Sequence, residues 1–382
     1  MPYKIGIDAR YGLRKNRRGI GNYIFRLLSE YRQIKPAECR FFLYVDQTAD
    51  DKSIGIFQQE PFTVRVLTAA NLALWEQWCL PRAAAGDRLD LLHCTANIAP
   101  VLCKPCLLVT TIHDVIEFRR REFGDTHLSL RHRLSRAYRM GVLPRVARLS
   151  DMVITVSDYS RKDIAAVLNI DPDKIWVTYE APIEGGEAGP EADVPPPGTE
   201  KNNYIFALGA MDKRKNTARL LAAYQKMRTE ISGVAPPLIV AGLENPAFFE
   251  PLAGEGVRLY GFLPDRTIAA LYRHALFFVY PSLYEGFGLP VLEAMIRGTP
   301  VLCSETTSIG EIAADAALKF NPLDADELAA KMKLLTADEK LRRELGGRGR
   351  KRAAAFSWER CARETLAVYQ KILTPEKAVR AK

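Results

Sequence analysis

The stretch of sequence that decides the fold is Glu285-Gly286-Phe287-Gly288-Leu289-Pro290-Val291-Leu292-Glu293. The apolar and aromatic run Leu276–Tyr280 before it is typical of a buried strand. Val291–Arg297 is typical of a helix, which the following glycine and proline would end. Pro290 suits the first helical position, where an N–H would have no intrahelical partner. The stretch therefore predicts a strand, a glycine loop and a helix whose N-terminus favours an anion.

The two carboxylates of this stretch indicate which groups the ligand has in addition to a phosphate. Glu285 and Glu293 would repel a phosphate, but they are good acceptors for hydroxyl groups. A phosphate flanked by hydroxyl-rich groups is a sugar nucleotide. A glycosidase also uses two carboxylates, but it places them on either side of the scissile bond. Because both glutamates belong to one strand–loop–helix unit, they are better placed to hold a ligand.

The composition is that of a soluble globular protein with room for two domains: of 382 residues, 48% are hydrophobic and 26% charged. No run of about 18 apolar residues is present, and the N-terminus lacks the apolar core of a signal peptide. Seven scattered cysteines favour a cytosolic protein with free thiols. Cys103 and Cys106 form a CxxC without zinc-finger partners, so we interpret them as two partly buried thiols, with a metal or redox role as the alternative.

The net charge of +9 suits phosphorylated substrates, an anionic membrane surface or a nucleic acid. Much of this charge lies in an arginine-rich segment, Arg119–Arg148, where apolar residues recur among nine arginines. The pattern predicts at least one basic amphipathic helix that could dock on anionic lipid, with a solvated helix face as the open alternative. A nucleic-acid-binding protein is a hypothesis of another class. It lacks a basic motif interleaved with aromatic residues, so we expect no nucleic-acid partner.

Strands alternate with helices along the chain, which predicts a parallel α/β fold. A change of composition at Glu184–Lys201 predicts a linker. We therefore divide the chain into an N-terminal domain (1–185), a linker (186–201) and a C-terminal domain (202–357). The predicted strands are Lys4–Ala9, Phe41–Val45, Thr63–Val66, Leu89–His93, Leu107–Ile112, Met152–Val156, Ile175–Val177, Tyr204–Leu208, Leu238–Ala241, Val257–Tyr260, Phe277–Tyr280 and Val301–Cys303. The predicted helices are Asn22–Gln33, Ser160–Leu168, Thr217–Met227, Thr267–Ala275, Val291–Arg297, Ala325–Leu335, Glu339–Ala354 and Trp358–Leu373.

Two further motifs follow predicted strands, where parallel sheets bind ligands. Gly19 and Gly21 lie in the first loop beside four cations and would let backbone approach a ligand, with a surface turn as the alternative. The third glycine of a dinucleotide fingerprint is absent, which disfavours a Rossmann dehydrogenase. Arg214 and Lys215 follow the first strand of the second domain and suit a diphosphate, with a solubilising helix start as the alternative.

Two histidines end predicted strands. His113 would face a cleft and could donate to a hydroxyl group, with a core histidine as the alternative. His93 is a candidate residue on the acceptor side, where structural and functional interpretations are equally open. Ser157 ends another strand, and we expect its side chain to cap the following helix.

Together these motifs resemble the retaining glycosyltransferases of the GT-B fold, family four, over nearly the whole chain. Glu285–Glu293 is similar to the E-x7-E motif of the family, Arg214-Lys215-Asn216 to its basic pair, and Gly19-Ile20-Gly21 to its N-domain glycine loop. His113 is similar to a histidine at the donor sugar. The resemblance implies two Rossmann-like, doubly wound domains facing across a cleft, with the C-terminal helix (358–382) crossing back to the N-terminal domain.

The resemblance also implies a role for each residue. Glu285 would hold hydroxyl groups of the donor sugar and Glu293 those of the ribose. Two side chains and three backbone amides would neutralise the diphosphate and improve it as a leaving group: Arg214 and Lys215, with Phe287, Gly288 and Leu289. Because these cations and amides would neutralise the diphosphate, the resemblance implies neither a metal nor a cofactor.

These implications favour a retaining hexosyltransferase that moves a sugar from a nucleotide diphosphate to a saccharide or lipid-linked acceptor in surface polysaccharide biosynthesis. We expect mannose from a GDP donor, by likeness to O-antigen mannosyltransferases. An epimerase or a phosphorylase-like enzyme of the same fold is the alternative. Two positions depart from many relatives: Ala210 replaces an arginine, and Glu180-Ala181 replaces Asn-Gly. We expect a cytoplasmic protein, with peripheral attachment to the inner face of the cell membrane left open.

Overall fold

The structure is a computed structural model that describes residues 1–123, 130–183 and 203–374, except for the side chains at 120, 121 and 130–132. The predicted linker at 186–201 and the last residues of the C-terminal segment lie outside this description. The chain divides into two compact units. The first comprises residues 1–118, 128–180 and 358–382, and the second comprises 119–127 and 181–357.

The first unit contains a parallel sheet of seven strands in the order β3-β2-β1-β4-β5-β6-β7. The strands are β1 Tyr3–Asp8, β2 Cys39–Val45, β3 Phe62–Val66, β4 Leu91–Cys94, β5 Leu107–Thr111, β6 Met152–Thr155 and β7 Ile175–Val177. The helices of this part of the chain are α1 Ile20–Ile34, α2 Asp51–Ile56, α3 Leu72–Leu74, α4 Leu80–Asp87, α5 Ile116–Phe123, α6 Leu130–Leu149 and α7 Asp158–Leu168.

The second unit contains a parallel sheet of six strands in the order β10-β9-β8-β11-β12-β13. The strands are β8 Ile205–Leu208, β9 Leu238–Ala241, β10 Val257–Leu259, β11 Phe277–Tyr280, β12 Val301–Ser304 and β13 Leu318–Phe320. The helices are α8 Thr217–Glu230, α9 Glu250–Ala253, α10 Asp265–His274, α11 Leu289–Ile296, α12 Thr307–Ala313, α13 Ala325–Ala337 and α14 Glu339–Ala353. The last helix, α15 Trp358–Leu373, belongs to the first unit.

Each sheet changes the direction of its strand order once, between β1 and β4 and between β8 and β11. In doubly wound sheets, ligands bind outside the carboxyl ends of the strands at this point. The central strands are short and largely buried, as sheets covered by helices on both faces require, whereas the edge strands β3, β7 and β10 are partly exposed. The predicted α/β fold with two doubly wound sheets is therefore confirmed, and we expect ligands beside the loops that follow β1, β4, β8 and β11.

Some elements were not predicted from the sequence. Residues 72–87 form two α-helical pieces joined by a π-helical turn at Trp75–Cys79, and Pro81 lies in the first turn after it. Because proline lacks an N–H, it is tolerated where the normal helical hydrogen bond is interrupted. The short elements α2, α12 and β13 were also missed, since each is too short to show a clear period.

The cap predicted at Ser157 is confirmed. Its hydroxyl oxygen accepts a hydrogen bond from the Ser160 amide, at 3.0 Å. An N-cap of this kind satisfies one of the amides that a helix leaves without an intrahelical acceptor.

Candidate active site

The centre of the candidate site is the carboxylate of Glu285, in the loop that follows β11. Its Oε1 accepts hydrogen bonds from Lys215 Nζ (2.7 Å), Tyr280 OH (2.8 Å) and Ser282 Oγ (2.6 Å). Its Oε2 forms an ion pair with Arg214 Nη1, at 2.9 Å. Burial alone would raise the pKa of Glu285, but Lys215 and Arg214 outweigh it and lower the pKa to about 2. Glu285 is therefore an anion that organises two cations.

The two cations come from the loop after β8, on the other side of the point where the strand order reverses. A single turn of 3-10 helix, Lys213–Lys215, carries them. Asn216 ends this turn with a φ of 59°, and its side-chain amide donates to the carbonyl oxygens of Pro281 and Pro322. The Asn216 contacts tie the basic turn to the loop after β11, so the Arg-Lys-Asn run acts as one rigid part of the site.

Gly209, which follows β8, has a packing role. A Cβ atom there would lie 2.7 Å from side-chain atoms of both Leu243 and Val240. Glycine is therefore needed so that the strand end can pack against its neighbours.

The glycine loop before α11 presents a helix N-terminus, as predicted. Gly288 has a φ of 112°, a conformation that favours glycine, and the helix begins at Leu289 with Pro290 in its first turn. The first amides of a helix have no intrahelical acceptor and favour an anion. Phe287 is buried, with its ring 6.0 Å from that of Phe356. Thus Gly288 and Leu289 place their amides at this helix N-terminus, and Phe287 anchors the loop.

Glu293 lies one turn into α11, in surroundings unlike those of Glu285. Burial raises the pKa of Glu293 to about 7, although Arg297 opposes that shift. The Arg297 guanidinium does not pair closely with this carboxylate; its Nη1 donates instead to the Glu293 carbonyl oxygen, at 2.7 Å. Glu293 therefore changes charge near neutral pH, whereas Glu285 does not.

In the first unit, the two glycines of the first loop serve different purposes. Gly19 precedes α1 with a φ of 43°, and a Cβ atom there would meet nothing within 4 Å, so only its backbone conformation requires glycine. A Cβ atom at Gly21 would lie 2.7 Å from the carbonyl oxygen of Tyr11. Gly21 therefore lets the loop fold closely on itself.

This loop borders a cavity of about 500 Å³. The lining includes Arg14, Arg17, Arg18, Asn97, Asp114 and Phe118, from loops that follow β1, β4 and β5. Arg17 donates to Ser53 Oγ and to the Arg14 carbonyl oxygen, both at 2.9 Å. The cavity thus lies where the switch point of the first sheet predicts a ligand.

His113 lies at the end of β5 and is 6% exposed. Its Nε2 is 3.1 Å from the Thr95 carbonyl oxygen, and its Nδ1 is 3.3 Å from Glu180 Oε1. A carbonyl can only accept, so Nε2 is the nitrogen that donates to Thr95, and Nδ1 faces the Glu180 carboxylate. The sequence signal for Glu180 was its departure from the Asn-Gly of many relatives, although no partner could be named from it.

His93 is fully buried in β4. Its Nδ1 is 2.6 Å from Tyr369 OH on α15, and its Nε2 is 2.8 Å from Thr111 Oγ1. Both ring nitrogens are therefore used inside the first unit, where they hold the last helix to the sheet. The predicted acceptor-side role of His93 has no support in these surroundings, and we leave it out of the proposed site.

The arginine-rich segment forms α5 and α6, with residues 124–129 between them outside the description. The first half of α6 is partly exposed and includes Leu134, which is 64% exposed, whereas Val146 and Ala147 in its second half are in the core. Glu117 pairs with Arg136 and Arg139, at 3.3 and 3.0 Å. Helix α6 therefore has a partly exposed, basic first half and a largely buried second half.

In the part of the chain that the structure describes, no helix is both long and apolar enough to cross a membrane. Within the same residues, no group of three His, Cys, Asp or Glu side chains is arranged to hold a metal ion.

Two family descriptions match this chain: "Glycosyltransferase Family 4" at residues 17–181 and "Glycosyl transferases group 1" at residues 191–352. The O-antigen chain mannosyltransferase B of Escherichia coli is 35% identical to it, over 69% of this chain and 70% of that protein. The MMP alpha-(1->4)-mannosyltransferase of Mycolicibacterium hassiacum is 28% identical, over 98% of this chain and 89% of that protein.

Solved structures show the same fold over almost the full length. Sucrose-phosphate synthase from Thermosynechococcus elongatus has a TM-score of 0.70 at 18% identity, covering 98% of this chain and all of that chain. The Anabaena Alr3699/HepE complex with UDP and glucose has a TM-score of 0.67 at 16% identity, covering 97% of this chain and all of that chain.

Proposed function

We propose that this chain, which belongs to glycosyltransferase family 4 and has the GT-B fold, transfers mannose from a GDP-linked donor to a saccharide or lipid-linked glycan. The family makes it a glycosyltransferase that uses a nucleotide sugar, with a retaining mechanism. Mannose is supported by two relatives named as mannosyltransferases, one of them for an O-antigen chain. We place the reaction in the synthesis of a surface polysaccharide.

The observation that carries the proposal is the cluster of Arg214, Lys215 and Glu285 beside the N-terminus of α11. Glu285 holds the two cations in place, at 2.9 and 2.7 Å, before any donor arrives. Preorganised cations stabilise the charge that develops on a departing diphosphate without having to reorganise during the reaction. The amides of Gly288 and Leu289 add a helix N-terminus to the same side of the site.

The two glutamates would then divide the contacts with the sugar nucleotide. We assign Glu285 to hydroxyl groups of the donor sugar, through the carboxylate oxygen that contacts Arg214. We assign Glu293 to the ribose hydroxyls, since a carboxylate in a largely apolar environment forms strong hydrogen bonds. His113, whose Nδ1 lies 3.3 Å from Glu180 Oε1, is the candidate in the first unit for a hydroxyl contact. We propose that no divalent metal takes part, so a chelator should leave the rate unchanged.

We also propose that the exposed half of α6 attaches the protein peripherally to the inner face of the cell membrane. The support is the exposed Leu134 among the basic residues of that half. Sedimentation with vesicles should fall when Leu134 and Arg133 are both replaced by glutamine, while the melting temperature stays the same. Equal sedimentation of this variant and the parent would reject the attachment.

A donor screen tests the activity. The full-length protein is incubated with GDP-mannose, GDP-fucose, UDP-glucose, UDP-galactose, ADP-glucose and dTDP-rhamnose, each with mannosyl and lipid-linked acceptors, and the products are read by mass spectrometry. Release of GDP with a mannosylated product is the expected result. Transfer of a sugar from a different donor would reject mannose as the transferred sugar but would support the assignment as a glycosyltransferase. Isomerised donor without an acceptor, or dependence on inorganic phosphate, would instead identify the epimerase or phosphorylase alternative.

A further inference from the structure

The second unit contains another cationic cavity, of about 490 Å³, which the proposed reaction does not use. We call it the arginine cavity. Its lining includes Arg273, Arg297, Arg342, Arg343, Arg350 and Glu339. It also includes the residues immediately before β11 and β12, so it lies at the amino ends of these strands. The Glu285 cluster lies at the carboxyl ends of the same sheet, so the two sites are separate.

Helix α14 forms one wall of this cavity by packing unusually close to the turn after α11. A Cβ atom at Gly346 would lie 2.5 Å from the Gly298 carbonyl oxygen, and one at Gly349 would lie 3.1 Å from the Met295 side chain. Leu345 and Ala353 are buried on the inner side of the same helix. The lining residues of α14 are spaced at three, four and seven positions, so they share one helix face. The glycines therefore bring that basic face against the turn.

Two of the guanidinium groups, those of Arg297 and Arg342, donate to carbonyl oxygens, which do not cancel their charge. Arg342 Nη1 donates to the carbonyl oxygens of Leu335 and Thr336 at the end of α13. A Cβ atom at Gly298 would lie 2.3 Å from Arg350 Nη2, so the Arg350 guanidinium lies directly on that turn. These contacts hold Arg342 and Arg350 at the wall of a concave space, while Arg273, Arg343 and Arg350 stay accessible to a ligand from solvent.

The charge inside the cavity is strongly unbalanced. Among the described residues that line it, Glu339 is the only acid, and it pairs with Arg343 at 3.4 Å. Burial lowers the pKa of Arg342, Glu339 and Asp338 oppose that shift, and the charge of Arg343 adds to it. Crowded like charges destabilise one another, and a bound anion removes that repulsion.

We propose that the arginine cavity binds a phosphate-bearing anion. Guanidinium forks match the paired oxygens of a phosphate group, and several converging arginines are typical of phosphate recognition. A lipid head group and a soluble phosphate compound present the same chemistry. The experiment therefore has one arm for each source.

The soluble arm measures binding of inorganic pyrophosphate to the full-length protein by calorimetry, in a Lys215→Ala background that weakens the proposed donor site. Arg343→Gln with Arg350→Gln removes two charges from the cavity. Lys340→Gln with Arg348→Gln removes two charges from the same helix at exposed positions that do not line it. We expect the first pair to weaken binding at least about 10-fold, and the second by about 2-fold or less.

The lipid arm compares sedimentation of the same two double variants with vesicles of phosphatidylglycerol and of phosphatidylcholine. If only the cavity variant sediments less with phosphatidylglycerol vesicles, the ligand is a lipid head group. If the cavity variant loses only its binding of pyrophosphate, the ligand is a soluble compound. Equal behaviour of the two double variants in both arms would overturn the proposal. Melting temperatures check the fold, and mannosyl transfer is assayed separately, so failure of this site and failure of the donor site are distinguishable.

Discussion

At the residue scale, Glu285 and Glu293 are eight positions apart and yet have opposite electrostatic environments. Glu285 has a pKa of about 2, because two cations outweigh its burial. Glu293 has a pKa of about 7, because its burial outweighs the opposing effects of Arg297 and the Tyr272 hydroxyl. Pairs of titratable groups whose environments separate their pKa values often have different functions. The first glutamate is therefore a permanent anion, and the second responds to pH.

Replacing Lys215 by alanine should lower kcat by at least about 100-fold, since loss of one preorganised charge donor in an active site typically has an effect of that size. The ammonium would no longer face the diphosphate, and Glu285 would lose its 2.7 Å partner. Lys213→Ala is the matched control, because Lys213 lies in the same turn and is exposed. Wild-type turnover in Lys215→Ala, with the fold intact by circular dichroism, would exclude the assigned role.

Donor binding should strengthen as the pH rises from 6 to 8. Below pH 7 the Glu293 carboxyl is mostly protonated, and above pH 7 it is the carboxylate that accepts the ribose hydroxyls. The KM for the donor should therefore fall across this range, by up to about 10-fold per pH unit on the acidic side. Glu293→Gln cannot ionise, so its KM for the donor should be high and should not change with pH. A pH dependence of KM that persists in this variant would assign it to another group.

At the element scale, regular structure followed the hydrophobic pattern wherever the pattern was long enough. The strands Ile175–Val177, Leu238–Ala241 and Phe277–Tyr280 have the predicted bounds. The helix with the π turn escaped prediction because its extra residue per turn breaks the 3.6-residue period. Helix α11 begins at Leu289 rather than Val291, because the left-handed Gly288 ends the loop there.

The loop after β1, which contains Gly21, allows a test of how much close backbone packing contributes to stability. Gly21→Ala should destabilise the protein by about 1–3 kcal/mol, because its Cβ would lie 2.7 Å from the Tyr11 carbonyl oxygen. Gly141→Ala is the control, since a Cβ atom at that exposed position in α6 meets nothing within 4 Å. That change should stabilise by up to about 1 kcal/mol. Chemical denaturation measures both, and equal stabilities would show that the loop can open to admit a side chain.

At the scale of the whole molecule, stability should fall as the pH drops below about 6.5, in part because of His93. Burial, together with the charge of the nearby His113, lowers the pKa of His93 to about 3. Below pH 6.5 the unfolded chain therefore binds a proton that the folded chain excludes, and this favours unfolding.

His93→Gln should reduce the slope of stability against pH between 6.5 and 5. Tyr369→Phe removes the hydroxyl partner at 2.6 Å but keeps the imidazole, so it should lower stability and retain the slope. Urea unfolding at several pH values distinguishes the two effects. An unchanged slope in His93→Gln would mean that other groups dominate the acid sensitivity.

The sequence alone determined twelve of the thirteen strands, the division into two α/β domains and the motif that ends in Glu293, because these depend on local periodicity and on turn residues. Only the tertiary structure decided which side chains meet. Arg214 and Lys215 lie about 70 positions before Glu285, and Glu180 lies far from His113 in the chain, so no local pattern could pair them. The same packing buries Gly209 and His93 in the core and forms the arginine cavity. Charge, burial and pKa are set by distant neighbours, and those neighbours are known only once the sheets have formed.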